Sequence, residues 1–508
     1  VSFEVKPGRE TFEKLASSYS VVPVWAEVLA DLETPVSGFL KLVSGRPGFL
    51  LESVEGGERW GRYSFIGRRP RLTLRLRQGK LEVKGSVPRW DLPDDDPLAA
   101  LQALVSGFSS PSLEGLPPLH GGVVGYLGYD VVHYMERLPR TAVDDLGVPD
   151  MVLFLTEELV AFDHLLQKIQ VVENVFVGDD PSLAYRQAVE RIEQAVEELS
   201  RPLGYQPSPV TETGGQELEE AISANMSPAE YMEAVERAKE YIRAGDIFQV
   251  VLSQRFEVPL DVDPFEVYRA LRLLNPSPYM YYVADEETIL VGSSPEMLVR
   301  VRDGEVVTRP IAGTRRRGYT EEEDRLLEAE LLSDPKERAE HVMLVDLARN
   351  DIGRVVDFGS QRVEDLMVVE RYSHVMHIVS SVSGRLAPGN DCIDVLRATF
   401  PAGTVTGAPK IRAMEIIDEL EPTKRGPYAG VVGYFDFSGN MDTAITLRTL
   451  IVHQGRAFVQ AGAGIVADSD PHLEYKECRN KARAVIAAVS AASKIGRGRP
   501  LGQTESDR

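Results

Sequence analysis

Cysteine is nearly absent from this chain of 508 residues: Cys392 and Cys478 are the only two. Two thiols exclude a disulfide framework and a four-cysteine zinc site. No window approaches 18 uninterrupted apolar residues, so no membrane-spanning segment is expected. The N-terminus, VSFEVKPGRETFEKL, lacks the charged-then-apolar layout of a secretory signal. Basic charge is in deficit, 56 Lys and Arg against 78 Asp and Glu, for a net charge of −22. That balance argues against a nucleic-acid or anionic-membrane surface, and an anionic substrate would need a local basic pocket. The expectation is a soluble, cytoplasmic protein. With 43% hydrophobic residues it can bury two or three domains' worth of core.

What is present is most informative at 460–481, QAGAGIVADSDPHLEYKECRNK. The pattern predicts a Gly-Ala-Gly turn followed by a helix, with Asp470 as cap and Pro471 in the first turn. At roughly 100° per residue, Glu474, Glu477 and Lys481 fall within about one sixth of a turn of each other. Beside them runs an apolar stripe of Cys478, Ala482, Val485, Ile486 and Val489. Closely spaced carboxylates at a buried boundary repel unless a cation joins them, and Mg²⁺ takes oxygen ligands. On this helix alone, an ordinary Glu477–Lys481 ion pair at i,i+4 is the better explanation. A second carboxylate stands at Glu340. In 333–350, SDPKERAEHVMLVDLARN, a helix capped by Ser333 or Asp334 would bury Met343, Leu344, Leu347 and Ala348, with Glu340 near the middle of that stripe. A carboxylate there must be paired, with Arg338 or Arg412 as candidates, or must bind metal.

Along the chain, residues 1–200 alternate helical and strand patterns and end in an amphipathic helix near 181–199. Residues 201–225, rich in Pro, Gly and Thr, read as a linker or crossover loop. Residues 226–495 carry sharper signals: a capping box from Ser227 to Glu230, a helix ended by Gly245, and a hairpin turning at Asp303-Gly304. Residues 496–508 read as a disordered tail. HGGVVGYLGYD at 120–130 and AGVVGYFDFSG at 429–439 resemble each other and are read as related strands of the two halves. Hairpin signals outnumber βαβ units, which favours an α+β fold over a doubly wound parallel sheet. GAGIVA mimics a dinucleotide fingerprint, but it does not open a helix within a βαβ unit.

The runs GDIFQVVLSQRF, SSPEMLVR, PIAGTRRRG, ERAEHVMLVDLARND, SHVMHIVSSVSG, FPAGTVTGAPK, YAGVVGY and AGAGIVADSDPHLEYKE resemble, in order, those of the chorismate-utilising enzymes, and specifically the large component of anthranilate synthase. The match is close over about 225–490. It implies two opposed, mainly antiparallel β-sheets with helices outside, and a Mg²⁺-dependent lyase that converts chorismate and ammonia to anthranilate and pyruvate in tryptophan biosynthesis. By the same resemblance Glu340 and Glu477 are the Mg²⁺ ligands, with Glu474 close by. Arg448, Tyr428, Gly462 and Gly464 would hold the enolpyruvyl carboxylate, while Gly313, Thr314 and Lys481 would serve the ring carboxylate. Glu296 would be the general acid at the C4 hydroxyl, His377 the histidine beside the ring, and Thr404 a polar contact.

Two positions separate relatives. Gln249 stands where isochorismate and salicylate synthases have a water-activating lysine, and Ala312 where many aminodeoxychorismate synthases have a nucleophilic lysine. Both favour ammonia as nucleophile and anthranilate as product. No glutaminase nucleophile in a Gly-Xaa-Cys-Xaa-Gly setting is present, so the resemblance implies a separate glutamine amidotransferase subunit. FLLESVEGGERWGRYSFIG at 49–67 and NPSPYMYY at 275–282 resemble the family's tryptophan-binding segments. They place Glu52, Ser53, Pro278 and Met280 at an effector site. The rival readings are aminodeoxychorismate synthase and a non-catalytic tryptophan-sensing subunit.

Overall fold

A computed structural model describes residues 3–493, apart from 30, 44, 54–60, 87–91, 94, 205–221 and 373–374. Most of the expected linker at 201–225 and all of the expected tail at 496–508 lie outside the described residues. Local signals become local structure where the chemistry requires it. Ser227 and Glu230 form a reciprocal capping box on helix Pro228–Ala244, and Gly245 closes it in the left-handed conformation at φ 85°. Asp334 caps Pro335–Ile352 by accepting from the N–H groups of Lys336 and Glu337. Asp470 does the same for Pro471–Ala492 through His472 and Leu473. Asp303 and Gly304, both at positive φ, turn the hairpin between Met297–Arg302 and Glu305–Thr308.

The described strands form a 13-stranded sheet, a 10-stranded sheet and a 3-stranded sheet. The two large sheets face each other. Along each strand, alternate residues enter different cores, as the period of two demands. Tyr281 and Val283 of the larger sheet meet Val432 and Tyr434 of the smaller one between the sheets. Met280, Tyr282 and Ala284 point the other way, onto Phe39, Phe265 and Tyr268. Val431 and Phe435 likewise turn outward to Ile393, Leu396 and Met414. The expected α+β arrangement of two opposed antiparallel sheets with outer helices is therefore present. The 3-stranded sheet (Ile311–Arg316, Val375–Val379, Val368–Arg371) is additional, with its own small core of Leu331, Met376 and Ile378. Among the described residues no helix is long and apolar enough to cross a membrane.

Both large sheets run through both halves of the chain. Gly48–Glu52 pairs with Tyr279–Ala284, and Gly122–Leu127 pairs with Val431–Asp436. The two similar Gly-rich segments are thus adjacent strands, with Gly125 directly opposite Gly433. A Cβ on Gly433 would stand 2.1 Å from the Asp442 carbonyl oxygen, and one on Gly125 2.0 Å from that of Val152. The glycines let twisted central strands approach more closely than side chains permit. Gly433→Ala is therefore expected to cost about 1–3 kcal/mol of stability through overpacking against backbone, measured as a lower midpoint of urea unfolding.

Candidate active site

Strand Arg456–Ile465 pairs with Gln249–Val258 on one side along most of its length. On its other side, pairing with Thr449–His453 ends at Leu450 opposite Val459. Among the described residues, 460–465 therefore have one open side, and Arg448 stands where the neighbouring strand stops. Gly462 and Gly464 lie in this strand, not in the turn the sequence pattern predicts. The error is physical: Gly-Ala-Gly reads as a breaker, yet here it clears space for neighbours. A Cβ on Gly462 would stand 2.8 Å from the Tyr428 hydroxyl, and one on Gly464 2.6 Å from Gln249 Nε2.

The carboxylates gather above this open edge. Helix Pro471–Ala492 packs on the glycine strand, and Lys481 Nζ donates to the Gly462 carbonyl at 3.0 Å. Lys481 also pairs with Glu477 at 2.7 Å, with both side chains about half exposed (50% and 48%). The i,i+4 ion pair is thus real, but it does not exhaust the cluster. Glu340 does not pair with Arg338 or Arg412: Arg338 donates to the Leu332 carbonyl, and Arg412 pairs with Asp246 and Glu415. Its neighbour is Gln249, whose Nε2 lies 3.4 Å from Glu340 Oε1. Burial first, and then repulsion from Glu337, raise the Glu340 pKa. Burial also raises that of Glu474, with Glu477 adding repulsion and a Ser469 contact opposing it. Lys481 acts electrostatically on Glu296, Glu340 and Glu474 alike. Lys336, a residue the sequence reading missed, acts on Glu340 and Glu474. Its spacing four residues ahead of Glu340 was the available signal.

Among the described residues, no three acidic, His or Cys side chains converge into a closed metal cage. Two helices instead present hard oxygen donors, and burial together with a carboxylate neighbour on the same helix opposes the ionisation of Glu340 and of Glu474. This donor set fits Mg²⁺, which takes one or two carboxylates and fills its remaining positions with water and substrate oxygens.

Glu296 lies deeper, between strands Thr288–Ser294 and Met297–Arg302, with its backbone carbonyl accepting from Ile445 N–H at 3.0 Å. Among the described residues it has no ion-pair partner at the strand end. Burial pushes its carboxyl up to about 7, against a smaller opposing influence from Thr404 and Lys481. Thr404 Oγ1 is buried and has no well-formed hydrogen bond, although it is near enough to favour the Glu296 carboxylate. Leu344, Leu347 and Ala348, from the helix that carries Glu340, close the same cavity.

On the small sheet, Gly313 at φ +64° and Thr314 flank His377. His377 Nδ1 is 2.9 Å from the Gly313 carbonyl and 3.1 Å from Thr314 Oγ1. A carbonyl can only accept, so Nδ1 carries the proton and Nε2 is the basic nitrogen. Burial holds the imidazole below its ordinary value; the Gly313 bond opposes this and Arg448 reinforces it. Arg448 and His377 thus share one electrostatic neighbourhood. Tyr372, missed from sequence, packs edge-on against the imidazole at 5.6 Å.

Two of the proposed effector residues also meet. Met280 is the register partner of Glu52. Glu52 is buried, accepting from Tyr268 and, at 3.1 Å, from Arg272 Nε. Ser53 Oγ is buried with no hydrogen-bond partner among the described residues, and Pro278 is half-buried at the end of the loop before Met280.

Known proteins resemble this chain along most of its length. Residues 48–487 match the family of chorismate binding enzymes. The chain is 48% identical to anthranilate synthase component 1 of Acetivibrio thermocellus, over 96% of this chain and 99% of that one. It is 49% identical to that of Pseudomonas aeruginosa, over 95% and 99%. The solved anthranilate synthase component I from Streptococcus pneumoniae superposes with a TM-score of 0.74 at 38% identity, covering 90% of this chain and 98% of that one. The menaquinone-specific isochorismate synthase of Escherichia coli shares the fold, with a TM-score of 0.68 at 21% identity over 95% and 98%. A model match over most of the chain, together with relatives of nearly half identical sequence along their whole length, places this protein in the family of chorismate-binding enzymes, among the anthranilate synthase component 1 chains.

Proposed function

We propose that this protein converts chorismate and ammonia to aminodeoxyisochorismate and then to anthranilate and pyruvate. The observation that carries the reading is the pairing of a buried carboxyl, Glu296, with a neutral amide, Gln249, where a water-activating base would stand. An acid is in place for the departing C4 hydroxyl, while the amide at position 249 cannot act as the base that makes hydroxide. Ammonia needs no such base to act as a nucleophile. Ala312 leaves its approach to C2 open.

The chain's own residues divide the work. Arg448, Tyr428 and the backbone of Gly462 and Gly464, along the open strand edge, hold the enolpyruvyl carboxylate. Gly313, Thr314 and Lys481 lie at the ring-carboxylate end. Glu296 donates its proton as hydroxide leaves, a role suited to a carboxyl kept neutral by burial. Thr404 orients that carboxyl. His377, with Nδ1 tied to Gly313, presents Nε2 to accept the ring proton when pyruvate is eliminated. Glu340 and Glu477, with Glu474 nearby, would hold Mg²⁺. When bound, the ion neutralises the substrate's ring carboxylate against a wall of like charge.

Ammonia must be supplied from outside this chain. Cys392 and Cys478 are both buried, and burial pushes both thiols up to about 12, so neither is a thiolate nucleophile at neutral pH. A separate glutamine amidotransferase is the proposed donor, and tryptophan, bound by Glu52, Ser53, Pro278 and Met280, the proposed feedback inhibitor.

Incubation with chorismate, ammonium and Mg²⁺ is expected to yield anthranilate fluorescence. EDTA should abolish it, and Glu340→Gln should lower turnover by a few orders of magnitude, since second-carboxylate removal leaves the anion site under-neutralised. Isochorismate or a 4-amino product in its place would overturn the assignment.

Glu296 also makes a pH prediction. Its folded value of about 7 exceeds its ordinary value of 4.5, so the folded state loses relative stability as pH rises through that window. Activity that needs the protonated acid should decline above about pH 7. Glu296→Gln should lose turnover, yet at about pH 8 it should unfold at higher temperature than the wild type. That stability gap should close below about pH 4.5, as followed by calorimetry across pH.

A further inference from the structure

Glu52, Met280, Ser293 and Arg448 lie in one transverse row of the larger sheet. Glu52 is opposite Met280, and Met280 is opposite Ser293. Gly292 is opposite Thr449, and in the next step of the ladder the Ser293 N–H donates to the Arg448 carbonyl at 3.2 Å. Three strand spacings of about 4.7–4.9 Å each make the row roughly 14 Å long. It begins in the proposed effector segment and ends at the proposed substrate arginine.

Ser293 is the junction of that row. It is completely buried, and its side chain does not serve the sheet. Its Oγ donates to the Asn275 carbonyl and lies 2.8 Å from Ser277 Oγ, while Asn275 Nδ2 donates to it at 3.2 Å. The hydroxyl thus braces the 275–278 loop, which leads directly into Pro278 and Met280. The backbone of the same residue braces Arg448, which is held at φ +46°. A non-glycine residue in the left-handed region persists only where its surroundings over-determine it. A shift of the loop must therefore either break the bonds of Ser293 or move the carbonyl that holds Arg448 in this conformation.

We infer that Ser293 is a positioning residue that couples the 275–278 loop to Arg448, so that occupation of the effector pocket changes chorismate binding through it. This rests on the effector and substrate roles proposed above. Ser293 touches neither ligand in this account. Its role is to make the geometry of the loop and the geometry of Arg448 a single state. Linkage then requires chorismate to weaken tryptophan binding by the factor by which tryptophan weakens chorismate binding.

The test uses the full-length protein with ammonium as nitrogen donor, in wild type, Ser293→Ala, Ser277→Ala and the double variant. Tryptophan binding is measured by calorimetry, and chorismate kcat and KM are measured with and without tryptophan. Each variant is expected to bind tryptophan and to keep kcat, without tryptophan, within about two-fold of wild type. The factor by which tryptophan raises KM should fall by about two- to ten-fold, the range of one buried hydrogen bond. The double variant should fall no further than Ser293→Ala alone, because both substitutions remove one link. A variant that binds tryptophan with its effect on KM intact would overturn the inference. So would loss of tryptophan binding itself, or an additive double variant. A wild type that binds no tryptophan would instead overturn the effector reading and this inference with it. If Ser293→Ala does not fold, Ser277→Ala carries the same comparison.

Discussion

The arrangement of the site turns on an imbalance of charge. Glu340, Glu474 and Glu477 stand on two helices, and the Lys481 ammonium acts on Glu296, Glu340 and Glu474. Burial raises the pKa of both Glu340 and Glu474, with repulsion from Glu337 adding to the first and from Glu477 to the second, so the protein alone does not neutralise what it has collected. A cleft of this kind favours a ligand that arrives with a divalent cation. In a chain with a net charge of −22, the proposed anionic substrate would rely on Arg448, Lys481 and the open backbone edge of 460–465 for the local counter-field.

The sheets make that imbalance sustainable. Each group stands on an element whose position is fixed from two sides: Glu296 at a strand junction, His377 by a carbonyl on the neighbouring strand, Lys481 by the Gly462 carbonyl. Residues held this way would need little reorganisation when charge develops in the proposed reaction. Because the larger sheet continues from the N-terminal half into the C-terminal half, the proposed effector segment of one half lies in the same ladder row as the proposed substrate arginine of the other.

Much of this was legible in the sequence because the signals are local. Caps at Ser227, Asp334 and Asp470 and the Asp303-Gly304 hairpin depend on hydrogen bonds within a few residues, and each formed as its chemistry predicts. The stripe of Glu474, Glu477 and Lys481 followed from helical period alone. Properties that depend on distant partners were not legible. Gly-Ala-Gly became strand because Tyr428 and Gln249 fill the space its missing side chains leave. The separate 3-stranded sheet, the contacts of Lys336 and Tyr372 and the Ser293 junction are set by tertiary neighbours that no window of sequence contains. The identity of Gln249 was readable, but its approach to Glu340 was not.

The central claim is that the carboxylates of two helices form one incomplete cation site that substrate completes. A crystal structure of the protein with Mg²⁺ and chorismate tests it most directly. The account predicts one metal ion held by Glu340 and Glu477, with the substrate's ring carboxylate on the same ion and the Glu477–Lys481 pair broken or loosened. Chorismate bound with that ion pair intact and no metal between the two helices would contradict it.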